Sequence, residues 1–138
     1  MVNVASGGTA NDNTSNTDNA KRAFDSNSAT QWFSKGVQGW LQYDLGHTET
    51  VQRYSVISSN NAVARDPKDW QLLGSNDGVT WQTLDAQNNQ VSDRPYALKN
   101  YPVSRPGSYR YYRLNITANN GDTTSTGLGE FGLFVSKP

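Results

Sequence analysis

The chain has 138 residues, 12 basic and 12 acidic side chains, a formal net charge of zero and no cysteine. That length suits one domain with a core that needs no staples, and the charge balance gives no electrostatic reason to expect nucleic acid or an anionic membrane surface. The missing thiols exclude a disulfide framework and a Cys-type zinc site, and no apolar run is long enough for a membrane span or a signal h-region.

In chain order, Met1 stands directly before a strand-like start, which reads as an excised module. Val2 to Gly8 is a short apolar start, and Thr9 to Asn19, nearly all Asn, Asp, Thr and Ser, reads as a surface loop. Lys21 to Phe24 fits one helical turn. Trp40 to Leu45 alternates with period two, which puts Leu41, Tyr43 and Leu45 on one face of a strand ended by Gly46. Val51 to Ser58 is a second strand that empties into a polar loop, Asn60 to Lys68. Asn76-Asp77-Gly78 between two apolar runs predicts a hairpin, with Trp81 opening the returning strand. Weaker strands are expected around Val91 and Tyr96 to Leu98. Tyr109 to Ile116 alternates again, Ala118 to Thr126 is a second long polar loop, and Leu128 to Val135 closes the chain.

No segment sustains a helical period over three turns, whereas short strands and turn residues recur, so the fold class is all-β, an antiparallel sandwich or barrel in one domain over residues 1–138. The expected core is Phe24, Trp40, Leu41, Tyr43, Leu45, Tyr54, Val56, Trp70, Leu72, Trp81, Tyr112, Leu114, Ile116, Phe131 and Leu133.

The stretch from Ala20 to Trp32 organises the rest. Between Phe24 and Trp32 it places the oxygen-bearing side chains of Asp25, Asn27 and Thr30. A hard cation such as Ca²⁺ takes about six to eight oxygens of this kind. The alternative is a turn in which Asp25 accepts local N–H groups. An EF-hand is excluded, because its sixth position would be Thr30 instead of glycine and its twelfth Gly36 instead of glutamate. A metal here therefore needs ligands from a distant segment.

Ala20, Phe24-Asp25, Thr30-x-Trp32, Trp40-x-x-x-Asp44-Leu45-Gly46, Gly74-Ser75-Asn76-Asp77-Gly78-x-x-Trp81, Tyr111-x-Arg113 and Gly129-Glu130-Phe131 follow one another in an order that resembles the F5/8 type C, or discoidin-like, domain. The chain looks most like bacterial carbohydrate-binding module family 32, and the resemblance covers nearly its whole length. It implies a jelly-roll β-sandwich, galactose-binding-domain-like, with a structural Ca²⁺. By the same resemblance, Asp25 and Glu130 would supply carboxylates, Thr30 its hydroxyl and carbonyl, and Arg22, Asn27 and Gly129 backbone carbonyls.

The resemblance also implies a sugar site on loops at one end. Asn and Asp amides and carboxylates, Arg forks and an aromatic platform suit sugar hydroxyls and C–H faces. Arg65 and Asp66 are read as the hydroxyl partners, with Asn60 or Asn61 beside them. An Arg65–Asp66 ion pair closing a turn is the structural alternative. Phe33 or Trp32 is the candidate platform, and Asn119, Asn120 and Asp122 stand where many relatives carry a last-loop aromatic. Galactose-binding relatives would bring a histidine from the region of Arg65, whereas the one histidine here, His47, sits in the turn after Gly46.

Polar loop tips leave no wedge for membrane insertion. Asp44 and Asp77 belong to strand ends and turns, and no nucleophile, phosphate-loop or His-zinc pattern is present. The expectation is a non-catalytic, monomeric module that binds oligosaccharide or polysaccharide and is covalently linked to a catalytic domain, a glycoside hydrolase or polysaccharide lyase. Its setting would be secreted or extracellular, in a bacterium. A protein–protein or cell-surface adhesion module of the same fold is the alternative.

Overall fold

The computed structural model describes residues 1–27, 29–60 and 63–136. Its strands are β1 (Val2–Asn3), β2 (Thr9–Asp12), β3 (Trp32–Lys35), β4 (Gly39–Thr50), β5 (Arg53–Ile57), β6 (Pro67–Ser75), β7 (Gln82–Gln87), β8 (Leu98–Pro102), β9 (Ser108–Asn119), β10 (Ser125–Leu128) and β11 (Glu130–Val135). A five-residue helix, α1 (Thr17–Lys21), follows β2, and a 3₁₀ turn, Val63–Arg65, precedes β6. All pairings are antiparallel. One sheet runs β2-β4-β9-β6-β7, the other β1-β11-β5-β8, and β10-β3 forms a separate ribbon. The all-β architecture expected from the sequence is the one observed.

The period-two alternation decides which face each strand buries. Leu41 and Tyr43 of β4 stand opposite Leu114 and Tyr112 of β9, and Leu114 stands opposite Leu72 of β6, so apolar pairs line the inner face. From the second sheet come Tyr54, Val56, Phe131, Leu133 and Val135, all buried. The sheets are also joined by a buried polar chain: Trp70 Nε1 donates to the Tyr54 hydroxyl at 2.9 Å, and that hydroxyl donates to Asp85. Burial, and the Asp85 acceptor, push the Tyr54 hydroxyl pKa up, so it keeps the proton it donates.

Several local expectations are corrected. The stretch Thr9 to Asn19 is not all loop: it contains β2 and most of α1, which Asn16 caps by accepting from Asn19 N at 3.2 Å. The expected strand at Val91 is absent, and Tyr96 sits at a left-handed φ of 56° before β8 begins at Leu98. The last strand is two, divided at Gly129. An added Cβ there would meet the Ser58 carbonyl oxygen at 2.9 Å, so only glycine lets the chain pass this close.

Trp40 and Trp81 are not core residues. Both are partly exposed and flank Arg113, whose guanidinium carbon lies 3.8 Å from the Trp40 ring centroid and 4.3 Å from a Trp81 ring centroid. Its Nε and Nη2 also donate to Gln42 Oε1 at 3.1 and 2.7 Å. Phe24 is partly buried, packed 4.7 Å from Tyr43 and 5.9 Å from Phe131 between ring centroids.

Arg113→Met should lower stability by about 1–3 kcal/mol, the combined scale of a partly desolvated cation–π stack and its hydrogen bonds. Arg113→Lys should restore only part of the loss, because an ammonium lacks the planar fork. Urea unfolding midpoints check both.

Candidate functional site

The loop after α1 is held by its own oxygens. Asp25 Oδ1 accepts from Asn27 N at 3.0 Å, Asp25 Oδ2 accepts from the Thr30 hydroxyl, and the Asn27 carbonyl accepts from Thr30 N at 3.2 Å. Ser26 adopts a left-handed φ of 54°, and its N–H donates to Glu130 Oε1 at 2.6 Å. Phe131 N donates to the Ala23 carbonyl at 2.9 Å, and Gly129 N to the Ile57 carbonyl at 2.8 Å. Asp25 and Glu130, 105 positions apart in sequence, are thus brought to one place.

The Glu130 carboxyl is unbalanced there. Its Oε2 is buried without a hydrogen-bond partner. Burial, with the Asp25 charge beside it, raises its pKa from 4.5 to about 7 even though Ser26 N–H bonding opposes the shift. Such an atom needs a proton or a cation. The donors gathered here are carboxylate, hydroxyl and carbonyl oxygens; among the described residues no group of three or more His, Cys, Asp or Glu is placed to hold a metal ion, so a cation here would depend on the hydroxyl and carbonyl oxygens beside the two carboxylates. The residues present fit a hard, oxygen-seeking ion such as Ca²⁺.

Beside this loop lies an open hollow lined by Arg22, Thr30, Gln31, Phe33, Asn60 and Arg65. Phe33 projects from β3, which pairs Phe33 with Gly127 of β10; a Cβ at Gly127 would lie 2.4 Å from the Phe33 ring, so glycine seats it. The Arg65 guanidinium lies over the ring, 5.1 Å from its centroid, and Nε donates to Asp122 Oδ2 at 3.3 Å. Asp122 also accepts from the Thr124 hydroxyl at 2.7 Å, from Thr124 N at 2.7 Å and from Ser125 N at 3.0 Å, so its carboxyl is held well below the usual range and stays ionised.

The structure separates the candidate sugar residues into two groups. Phe33, Asn60 and Arg65 share the hollow, with Asp122 buttressing Arg65. Asn61 lies outside the described residues. Trp32 is corrected: it is fully buried, with Nε1 donating to Asp12 Oδ2 at 2.7 Å, and has no free face for a sugar. Asp66 is corrected as well, since it points inward to accept from Ser59 N at 2.8 Å and from the Ser92 hydroxyl, and it forms no pair with Arg65. Asn119 is buried, its amide donating to Asp122 O, Ser125 O and the Thr126 hydroxyl. The Asn120 amide donates to the Asp66 carbonyl at 2.9 Å and its oxygen accepts from Ser92 N at 3.1 Å. These two asparagines shape the loop instead of presenting groups to a ligand.

His47 is exposed, with Nε2 3.8 Å from Glu49. Sequence reading missed the Arg22 side chain, counted there for its carbonyl alone; Gln31 also lines the hollow, but its amide is buried without a hydrogen-bond partner. The spacing of Arg22 from Phe33 across a loop gives no local signal that they line one hollow.

Residues 7–131 match the F5/8 type C domain, and the chain belongs to that family. It is 36% identical over 126 residues to a peptide-N(4)-(N-acetyl-beta-glucosaminyl)asparagine amidase of Arabidopsis thaliana, of whose length it spans 17%. That match covers 85% of this chain. Among solved structures it resembles the CpGH89CBM32-5 module of Clostridium perfringens in complex with GalNAc-beta-1,3-galactose, with a TM-score of 0.82 and 17% identity over 98% of this chain and 100% of that one. It also resembles chitosan-binding module 1 of a Paenibacillus sp. IK-5 chitosanase/glucanase, with a TM-score of 0.78 and 24% identity over 98% of this chain and 100% of that one. The fold is therefore the galactose-binding-like sandwich.

The Glu130 shift gives the metal-free protein a distinct pH response. Folding favours the protonated carboxyl, so its contribution is full below the ordinary value of 4.5 and is lost as pH rises through about 7. In the presence of a chelator, thermal midpoints should fall across that window, and Glu130→Gln should flatten the fall.

Proposed function

We propose that this chain is a non-catalytic carbohydrate-binding module of the family 32 type. The observation that carries the reading is the open hollow in which Arg65 lies over Phe33 beside Asn60: an aromatic ring, a guanidinium fork and an amide, with its buttress Asp122 fixed ionised. Exposed hydroxyls of a sugar find both donors and acceptors there, and a C–H face finds the edge of a ring. The solved relatives include a module in complex with GalNAc-beta-1,3-galactose and a chitosan-binding module, which supports the same class of ligand. No histidine lines this hollow, so the galactose pattern of recognition is not part of the proposal.

Ca²⁺ belongs to the proposal as a structural ion. Asp25, Glu130 and Thr30, with carbonyls of Arg22, Asn27 and Gly129, would hold it, and it would neutralise the paired carboxylates. The residues themselves already fix the loop against β11 through Ser26 N–H and Phe131 N–H.

The module's work is targeting. A chain that spans 17% of a larger relative fits a part that holds a catalytic domain near glycan. A secreted glycoside hydrolase or lyase is one such parent. A shallow site for one or two sugars gives a Kd of about millimolar to tens of micromolar, roughly −4 to −6 kcal/mol, so avidity through the parent would set the working affinity.

An amide-resolved NMR titration with an oligosaccharide panel should shift resonances around Phe33, Asn60 and Arg65, and Arg65→Ala should weaken binding about tenfold or more, as loss of a charge-assisted fork implies. Absence of binding across the panel overturns the reading. Separately, Ca²⁺ at about one hundred times its Kd should stabilise the fold by about 2.7 kcal/mol, roughly 10 °C in Tm for a domain of this size. Calorimetry with and without chelator, together with elemental analysis, checks it.

A further inference from the structure

A second hollow is lined by Asn16, Asp18, Arg22, Phe33, Lys35 and Ser125 among others. Phe33 and Arg22 line both hollows. The two hollows therefore adjoin at these shared residues.

The charges around it are uneven. Arg22 and Lys35 are exposed, and among the described residues neither has a carboxylate within ion-pair distance. The acidic groups nearby are mostly spent. Asp12, below the surface, accepts from Trp32 Nε1, from Asn19 Nδ2 at 2.9 Å and from Thr14 N at 2.9 Å. Asp122 is engaged by Arg65 and the Thr124–Ser125 turn. Asp18 alone of the second hollow's lining is an exposed acid, set against two cations. Asn16 uses its side-chain oxygen to cap α1 and leaves its amide nitrogen as a further donor toward the hollow. Donors and positive charge dominate, in a molecule whose net charge is zero.

We propose that the two hollows form one groove that takes an acidic oligosaccharide. One sugar sits at Phe33 and Arg65, and the carboxylate of a neighbouring uronic acid is held by Arg22 and Lys35 in the second hollow. This rests on the carbohydrate-binding reading and narrows its ligand class. A carboxylate offers two acceptor oxygens to an arginine fork and a point charge to a lysine. A cationic glycan such as chitosan meets the same groups unfavourably, so this chain and the chitosan-binding module it resembles in fold should differ in preference. Screening by salt weakens such exposed pairs within a Debye length of about 10 Å at 0.1 M.

The test compares three probes of equal length, trigalacturonate, tri-N-acetylchitotriose and chitotriose, together with galacturonic acid itself, by titration calorimetry at low and moderate salt. The wild-type chain is set beside Arg22→Gln and Lys35→Gln, which alter side chains and leave the backbone carbonyl of residue 22 in place. Trigalacturonate is expected to bind about tenfold more tightly than the neutral trisaccharide and more tightly than the monosaccharide, with the advantage shrinking as salt rises. Each variant should lose about three- to tenfold for trigalacturonate; Lys35→Gln, outside the first hollow, should be unchanged for the neutral probe, and Arg22→Gln should lose less for the neutral probe than for trigalacturonate. Equal or tighter binding of the neutral or cationic probe overturns the acidic preference while leaving sugar binding intact. A trigalacturonate affinity insensitive to both variants overturns the placement. Binding of none of the probes overturns this inference, and failure of the wider panel as well overturns the carbohydrate reading beneath it.

Discussion

The architecture of the loop end depends on one contact between distant parts of the chain: the Glu130 carboxylate against the turn that contains Asp25 and Ser26. Everything nearby is located relative to it. Phe131, one residue later, hangs from the Ala23 carbonyl and packs its ring on Phe24. Gly129, one residue earlier, slides past the Ile57 and Ser58 carbonyls, where any side chain would collide. The turn in its own course leads through Thr30 to β3, and so sets where Phe33 emerges. A buried oxygen without a partner costs on the order of 1–3 kcal/mol, and at this contact the cost falls at the place where a cation of the right kind would remove it.

Much of the sandwich was legible because its signals are local. Alternation in Trp40–Leu45 and Tyr109–Ile116 named the buried faces, and the Asp77-Gly78 turn named a hairpin. Reading failed where the deciding neighbour is remote. Nothing in the Asn-rich run after Thr9 says that Ala10 and Asp12 are buried in a strand paired with β4, Asp12 accepting from Trp32, because the polar side chains that suggest a loop are there to satisfy one another. Trp40 and Trp81 looked like core because large aromatics usually are, yet Arg113 across the sheet gives them a partner outside it.

The site shows the same division. Asp25 and Glu130 were paired through family resemblance, since each is an ordinary acidic residue in its own segment. Arg65 and Phe33 were both named, but that one lies over the other emerges only when β3, β10 and the 3₁₀ turn converge. Asp66 and the two asparagines at 119 and 120 misled for a physical reason: polar residues in loops can serve the ligand or the loop, and composition does not distinguish them. Their partners do. Where an amide has three internal acceptors, nothing of it remains for a visitor.

That inward use of polar groups has a consequence for any weak ligand. The loop following β9 is tied by Asn119, Asn120 and Asp122 to its own amides and to the strands on either side. Because the tying is done within the chain itself, a sugar arriving at Arg65, as proposed, would meet a guanidinium whose buttress is already held. Little of its modest binding energy would then be diverted into freezing backbone motion. Hydration water is left as the main thing to be displaced.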